Sequence, residues 1–257
     1  MDNPYAAPQR GGGTESSPAV EGPSRAQDLA LVRTWLGQSG FVILGISGAA
    51  GVLTSLLLDL QAFYMPESGS SMMGLVNTVL MIIVSMSAIH IAVGRWRDPK
   101  APLGPMISRG FQTGGRAVLP LVLRGFALII GLIFFVVPGV IVGVRTLMIH
   151  GMFALGYRDE GVKSLKHAWE RSEGQSADLF VLVVLGTAPL IFMSLLEGAW
   201  QYVAYEQGLG IGMLLAASLP LAFIRAFVST LLPLLGAARV IGWIREDQGE
   251  LSFPWEQ

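Results

Sequence analysis

The chain has 257 residues, 52% hydrophobic and only 14% charged, with a mean hydropathy of +0.58. Soluble domains run at about one-quarter charged, so too little polar surface remains to coat a water-soluble globule, and the bilayer is the expected solvent for much of the chain. A net charge of −1 and the lack of cysteine argue against a basic nucleic-acid-binding field and exclude disulfides, thiolate metal sites and cysteine nucleophiles.

Residues 1–37 are rich in Pro, Gly and Ser and hold no apolar run of signal-peptide type. They read as a disordered cytoplasmic tail, since such a composition buries too little apolar surface to offset its ordering entropy. A transmembrane helix needs about 20 apolar residues. Six segments qualify, near 40–60, 73–94, 118–137, 140–156, 179–202 and 210–236. The expected fold class is all-α: a polytopic membrane helix bundle spanning 38–245, with six transmembrane helices and two cytoplasmic interfacial amphipathic helices. Residues 246–257 form a short cytoplasmic C-terminal tail.

The 17 Lys and Arg sort by connection. Three lie in the tail (Arg10, Arg25, Arg33), five in 95–117, four in 157–178 and two after the last span (Arg239, Arg245). The intervening connections at 61–72, Pro138-Gly139 and 203–209 hold none. Basic residues stay on the cytoplasmic side of membranes. The alternation therefore predicts a multi-pass protein of the bacterial inner (cytoplasmic) membrane with both termini in the cytoplasm. The 118–156 region reads as a spanning hairpin turning at Pro138-Gly139. A re-entrant element would place the same basic segments on one side.

Two basic connections carry helical apolar spacing. In 102–118 it involves Leu103, Met106, Ile107, Gly110, Phe111 and Val118; in 159–175 it involves Val162, Leu165 and Trp169, with Lys163, Lys166, Glu170 and Arg171 opposite. Both suit helices lying in the headgroup region. Arg109, Arg116, Arg124, Lys163 and Lys166 are the candidate lipid-headgroup contacts, at about 1 kcal/mol per basic residue. Bracing the bundle is the plainer role for these helices.

Charges inside the spans are costly and mark functional candidates. The intramembrane polar set is Asp59, Arg145, Glu197 and Arg225, with Arg124 expected to snorkel to the inner headgroups. Arg145, about 9 Å below the outer turn, is at a depth to meet Glu197 or Asp59. Arg225 needs a carboxylate, carbonyls or water. His90 is expected at the interface and His150 within the bundle. The three histidines, which include His167, are too few for a metal site. Gly45, Gly48 and Gly51, and the GxxxG pairs Gly139/Gly143 and Gly208/Gly212, allow close helix packing within the chain or a homodimer face. Pro189, Pro220 and Pro233 are expected to kink their helices. No HExxH, GxSxG, P-loop or dinucleotide fingerprint is present.

Residues 118–180 carry an apolar segment ending in Pro138-Gly139, a second apolar segment with Arg145, the acid-glycine pair Glu160-Gly161, and a short helix with Leu165, Trp169 and Gly174. This pattern resembles a bacterial membrane family that includes the membrane domain of glycerophosphoryl diester phosphodiesterases. Where that family carries serine before the tryptophan, this chain has Ala168. The resemblance implies a six-helix membrane module without the soluble catalytic barrel. The expected function is a non-enzymatic scaffold or lipid-interacting module with no cofactor. The alternatives are a transporter or channel component with a pathway through Arg145, Glu197 and Arg225, or a membrane anchor for a soluble partner. Membrane lipids are the expected partners, with a second copy or a protein on the cytoplasmic face as further options and nucleic acid excluded.

Overall fold

In a computed structural model, the structure describes residues 23–64, 70–134, 136–158, 160–208 and 211–248. Eight α-helices follow one another: α1 (Arg25–Tyr64), α2 (Ser70–Arg97), α3 (Leu103–Phe134), α4 (Val136–Arg145), α5 (Ile149–Leu155), α6 (Lys163–Arg171), α7 (Ser176–Glu206) and α8 (Ile211–Gln248). Six helical stretches are long and apolar enough to cross a membrane, the fourth running from Val137 to Leu155 through both α4 and α5. Residues 249–257 of the expected C-terminal tail lie outside the described residues.

α1 begins at Arg25, which corrects the tail boundary expected at residue 37. The reason is a capping box. The Ser24 backbone N–H donates to Gln27 Oε1 at 3.0 Å, and the Gln27 N–H donates to Ser24 Oγ at 3.4 Å, satisfying two of the helix's orphan donors reciprocally. Leu31, Val32 and Trp35 then bury one face of this first part of α1. Residues 1–22 lie outside the described residues.

The chain reverses between Phe134 and Val136, not at Pro138-Gly139 as expected. Pro138 is the third residue of α4, where a missing N–H costs nothing because the first turn has no intrahelical acceptors for it. Gly139 instead lies against Gly131 and Leu132, and Gly143 against Leu128, so the two glycines let α3 and α4 close as an antiparallel hairpin. α4 stops after ten residues. Residues 146–148 tighten into i→i+3 turns, with Leu147 N–H donating to Val144 O and Ile149 N–H to Thr146 O, both at 3.3 Å. α5 then enters the bundle interior.

The expected surface helix over 102–118 is not separate. It is the first half of α3, continuous through Pro120. Gly110 meets Ser87, and Gly114 meets Ile83, so this half packs along α2. Helices α7 and α8 likewise run on through Pro189, Pro220 and Pro233.

α1, α2, α3, α4, α7 and α8 form a closed circuit of neighbours in that order, with α8 returning to α1. α5 sits against α2, α3 and α8. Gly151 faces Ala237 there, and Gly236 faces the Leu147 carbonyl, so the α5 and α8 backbones touch. The ends of α2 and α8 and the starts of α1, α3 and α7 share one end of the bundle with α6, and we call it the basic end. The apolar core concentrates there, from Leu31 and Trp35 through Ile89, Phe153 and Leu182 to Trp243. Toward the far end, α3 and α7 expose apolar side chains such as Phe126, Ile133, Phe192 and Leu195.

Candidate functional site

At the far half, α7 and α8 bring Glu197 and Arg225 together, with Nη1 2.6 Å from Oε2. The Glu197 side chain is 8% exposed and that of Arg225 34%. Asp59 on α1 accepts from Ser55 Oγ and Ser218 Oγ, each at 3.3 Å, and acts electrostatically on Glu197. Of the four expected intramembrane charges, Glu197 and Arg225 pair directly, and Asp59 is near enough to act on Glu197. A stripe of small residues makes this approach feasible: Gly48 lies against Phe223, and Gly51 against Ala222 and Ala226.

Arg145 does not join them. Its guanidinium carbon lies 4.6 Å from the ring centroid of Trp169 on α6, correcting the expectation that it meets Glu197 or Asp59. The cause is the earlier chain reversal. Ten residues of helix carry Arg145 about 15 Å from the turn, toward the basic end. Arg124 donates from Nε to Thr146 Oγ1 at 2.8 Å, and that hydroxyl donates to Val142 O at 2.6 Å. Both arginines thus act where α4 ends. His150 lies near Arg124. His90, expected at the interface, is buried between α2 and α3, with Nε2 3.2 Å from Thr113 Oγ1.

α6 buries Ser164 and Ala168 and exposes Val162 and Trp169, so its buried stripe differs from the Val162–Leu165–Trp169 face read from spacing. Ala168 is fully buried. Gly161 and Gly174 adopt φ of +64° and +79°. These left-handed positions frame α6 and explain both glycines by backbone need. Glu160 turns back onto α6, its N–H donating to Ser164 Oγ at 3.1 Å. Lys163 pairs with Glu160 at 3.8 Å and Lys166 with Glu170 at 3.6 Å. These exposed pairs contribute little to stability, and they leave α6 nearly neutral rather than a basic face.

The basic end holds two arrangements that sequence reasoning missed. The first is a fully buried ion pair. Arg239 Nε and Nη2 each lie 2.7 Å from Asp28 Oδ2, and both side chains are 0% exposed. Gln175 Oε1 accepts from Arg239 Nη1 at 2.9 Å and from Trp243 Nε1 at 3.3 Å, so α1, α8 and the start of α7 share one polar knot. Asp28 was counted into the tail and Arg239 among the sorting charges. The Ser24-x-x-Gln27 box ahead of Leu31, Val32 and Trp35 was the available signal. The second is a surface latch around Asp247. It accepts from Tyr157 Oη at 2.6 Å, from Arg158 Nη2 at 3.3 Å and from Arg171 Nη2 at 2.9 Å, and Arg171 also reaches Glu246 at 2.7 Å. Burial first, then the hydrogen bond to Asp247, pushes the Tyr157 hydroxyl up to about 12. Arg158 holds φ of +47°, the one positive value among the described non-glycine residues.

Fold and site together define an all-α bundle with six helical stretches fit to cross a membrane. No protein-family model, curated protein or solved structure matches the chain.

Proposed function

We propose that the protein is a non-enzymatic scaffold or lipid-interacting module of a bacterial inner membrane, with its basic end in the cytoplasm. The observation that carries this reading is the interlocked basic end. There a fully buried Asp28–Arg239 pair ties the start of α1 to the end of α8, and Arg171 ties α6 to the same end of α8. Such a build suits a fixed platform at the membrane surface more than a moving gate. The sorting of basic residues supports the orientation, and the resemblance over 118–180 supports a membrane module without its own catalytic barrel.

The pathway alternative rests on Glu197 and Arg225. Their 2.6 Å contact supports interhelical packing, and Arg145, the third member of that pathway, stands with Trp169 instead. Reconstitution into sealed vesicles tests the choice. A scaffold leaves proton, potassium and chloride fluxes at the level of empty vesicles. A flux above that level that is lost in a folded Arg225→Leu variant would sink the scaffold reading.

A further inference from the structure

We infer that the junction of α3, α4 and α6 holds the phosphate of an anionic phospholipid, bound by Arg124 and Arg145 beside Trp169. The inference rests on the lipid-interacting reading above and names the lipid class and the residues.

From Pro99 to Arg158 the chain has six cations (Lys100, Arg109, Arg116, Arg124, Arg145 and Arg158) and no Asp or Glu. Elsewhere Arg239 has Asp28 and Arg225 has Glu197 as carboxylate partners. Among the described residues Arg124 and Arg145 have none. Arg124 makes one hydrogen bond, to the neutral Thr146 hydroxyl. Arg145 has the face of Trp169. A guanidinium presents five donors and does not deprotonate in proteins, so neither group can shed its charge to suit the apolar band. Arg145 lies in the last turn of α4 and Arg124 bonds the next residue, Thr146, but the helix dipole there supplies only about −0.5 of a unit charge. Two arginines therefore leave an excess of roughly +1.5.

Trp169 favours a lipid over a free ion. It is 39% exposed, on a helix whose Lys163, Lys166 and Arg171 already have carboxylate partners. An indole exposed beside a guanidinium matches the amphipathic boundary between headgroup and acyl chain. Arg matches phosphate oxygens in bidentate geometry.

The test uses the full-length protein, delipidated in a neutral detergent, with phosphatidylglycerol or phosphatidylcholine added back and retained lipid counted by native mass spectrometry. The expected result is selective retention of phosphatidylglycerol. In Arg124→Gln/Arg145→Gln that retention falls on the order of tenfold or more, while Arg33→Gln, remote from the junction, leaves it unchanged. Equal retention of both lipids, or an unaltered double variant, overturns the site. Inorganic phosphate that raises the melting temperature as much as phosphatidylglycerol does overturns the lipid as its source. If the double variant does not fold, hydrogen exchange of the wild type decides. Phosphatidylglycerol-specific protection over 142–150 and 165–171 supports the site, and its absence overturns it. Ion flux through wild-type vesicles sinks the scaffold reading without touching this selectivity, so the two failures are distinguishable.

Discussion

Asp28 and Arg239 show how much one residue pair can decide in this bundle. Both are fully buried, and Gln175 takes up a further guanidinium donor. Breaking such a pair leaves an uncompensated buried charge, which costs about 3–5 kcal/mol, whereas replacing both partners by apolar residues of similar volume is close to neutral. Asp28→Leu and Arg239→Met should each lower the midpoint of thermal unfolding in detergent sharply, and the double variant should recover most of the loss. Additive losses in this cycle would show that the pair is not the unit of stability. Tyr157 gives a milder case with a pH signature. Its hydroxyl titrates at about 12 in the folded protein, above the ordinary value near 10. The stabilisation from its bond to Asp247 is thus complete below pH about 10 and lost as pH rises through about 12. Tyr157→Phe should cost about 1 kcal/mol at neutral pH and flatten the loss of stability between those pH values, read by chemical denaturation in alkaline buffers.

Among the elements, the seam between α2 and α3 is sensitive to a single added methyl. A Cβ on Gly110 would overlap Ser87, whose hydroxyl already bonds Ile83 O at 2.9 Å. Gly110→Ala should therefore cost about 1–3 kcal/mol through forced separation of the helices. Gly115→Ala meets nothing within 4 Å and should stabilise α3 by up to about 1 kcal/mol through helix propensity. Opposite shifts in the thermal midpoint check this contrast, and equal shifts would refute the packing account. The spans themselves were legible in the sequence, because runs of apolar residues separated by polar connections follow from bilayer thickness alone. For Arg225 the sequence showed only that a carboxylate, carbonyls or water had to satisfy it, and packing made Glu197 that partner. The start of α1 was hidden by composition: Pro and Gly upstream of Pro23 drew the tail boundary past a capping box. The end of α4 was hidden for a different reason. No proline or glycine marks 145–148; the break arises where Leu147 presents its carbonyl to Gly236, 89 positions later, a long-range contact that no local pattern encodes.

At the scale of the whole molecule, the polarity of the bundle is the claim that most needs direct measurement. All 14 Lys and Arg outside the apolar runs lie in the tail, in alternate connections or after the last span, and the described ones gather at the end that also carries the core. The proposed orientation, with that end in the cytoplasm, follows from applying the positive-inside rule to this sorting. The protein has no cysteine, so single introduced thiols report without background. Lys163 at the start of α6 and Gln207 just after α7 are both exposed and lie at opposite ends of the bundle. In intact spheroplasts, a membrane-impermeant maleimide should label Gln207→Cys and leave Lys163→Cys untouched until the membrane is opened. The reverse pattern would refute this orientation, either because the whole molecule is inverted or because one of the first four crossings, such as the fourth, broken into α4 and α5, is lost. Labelling of both sites would mean that α7, the single stretch between them, does not cross.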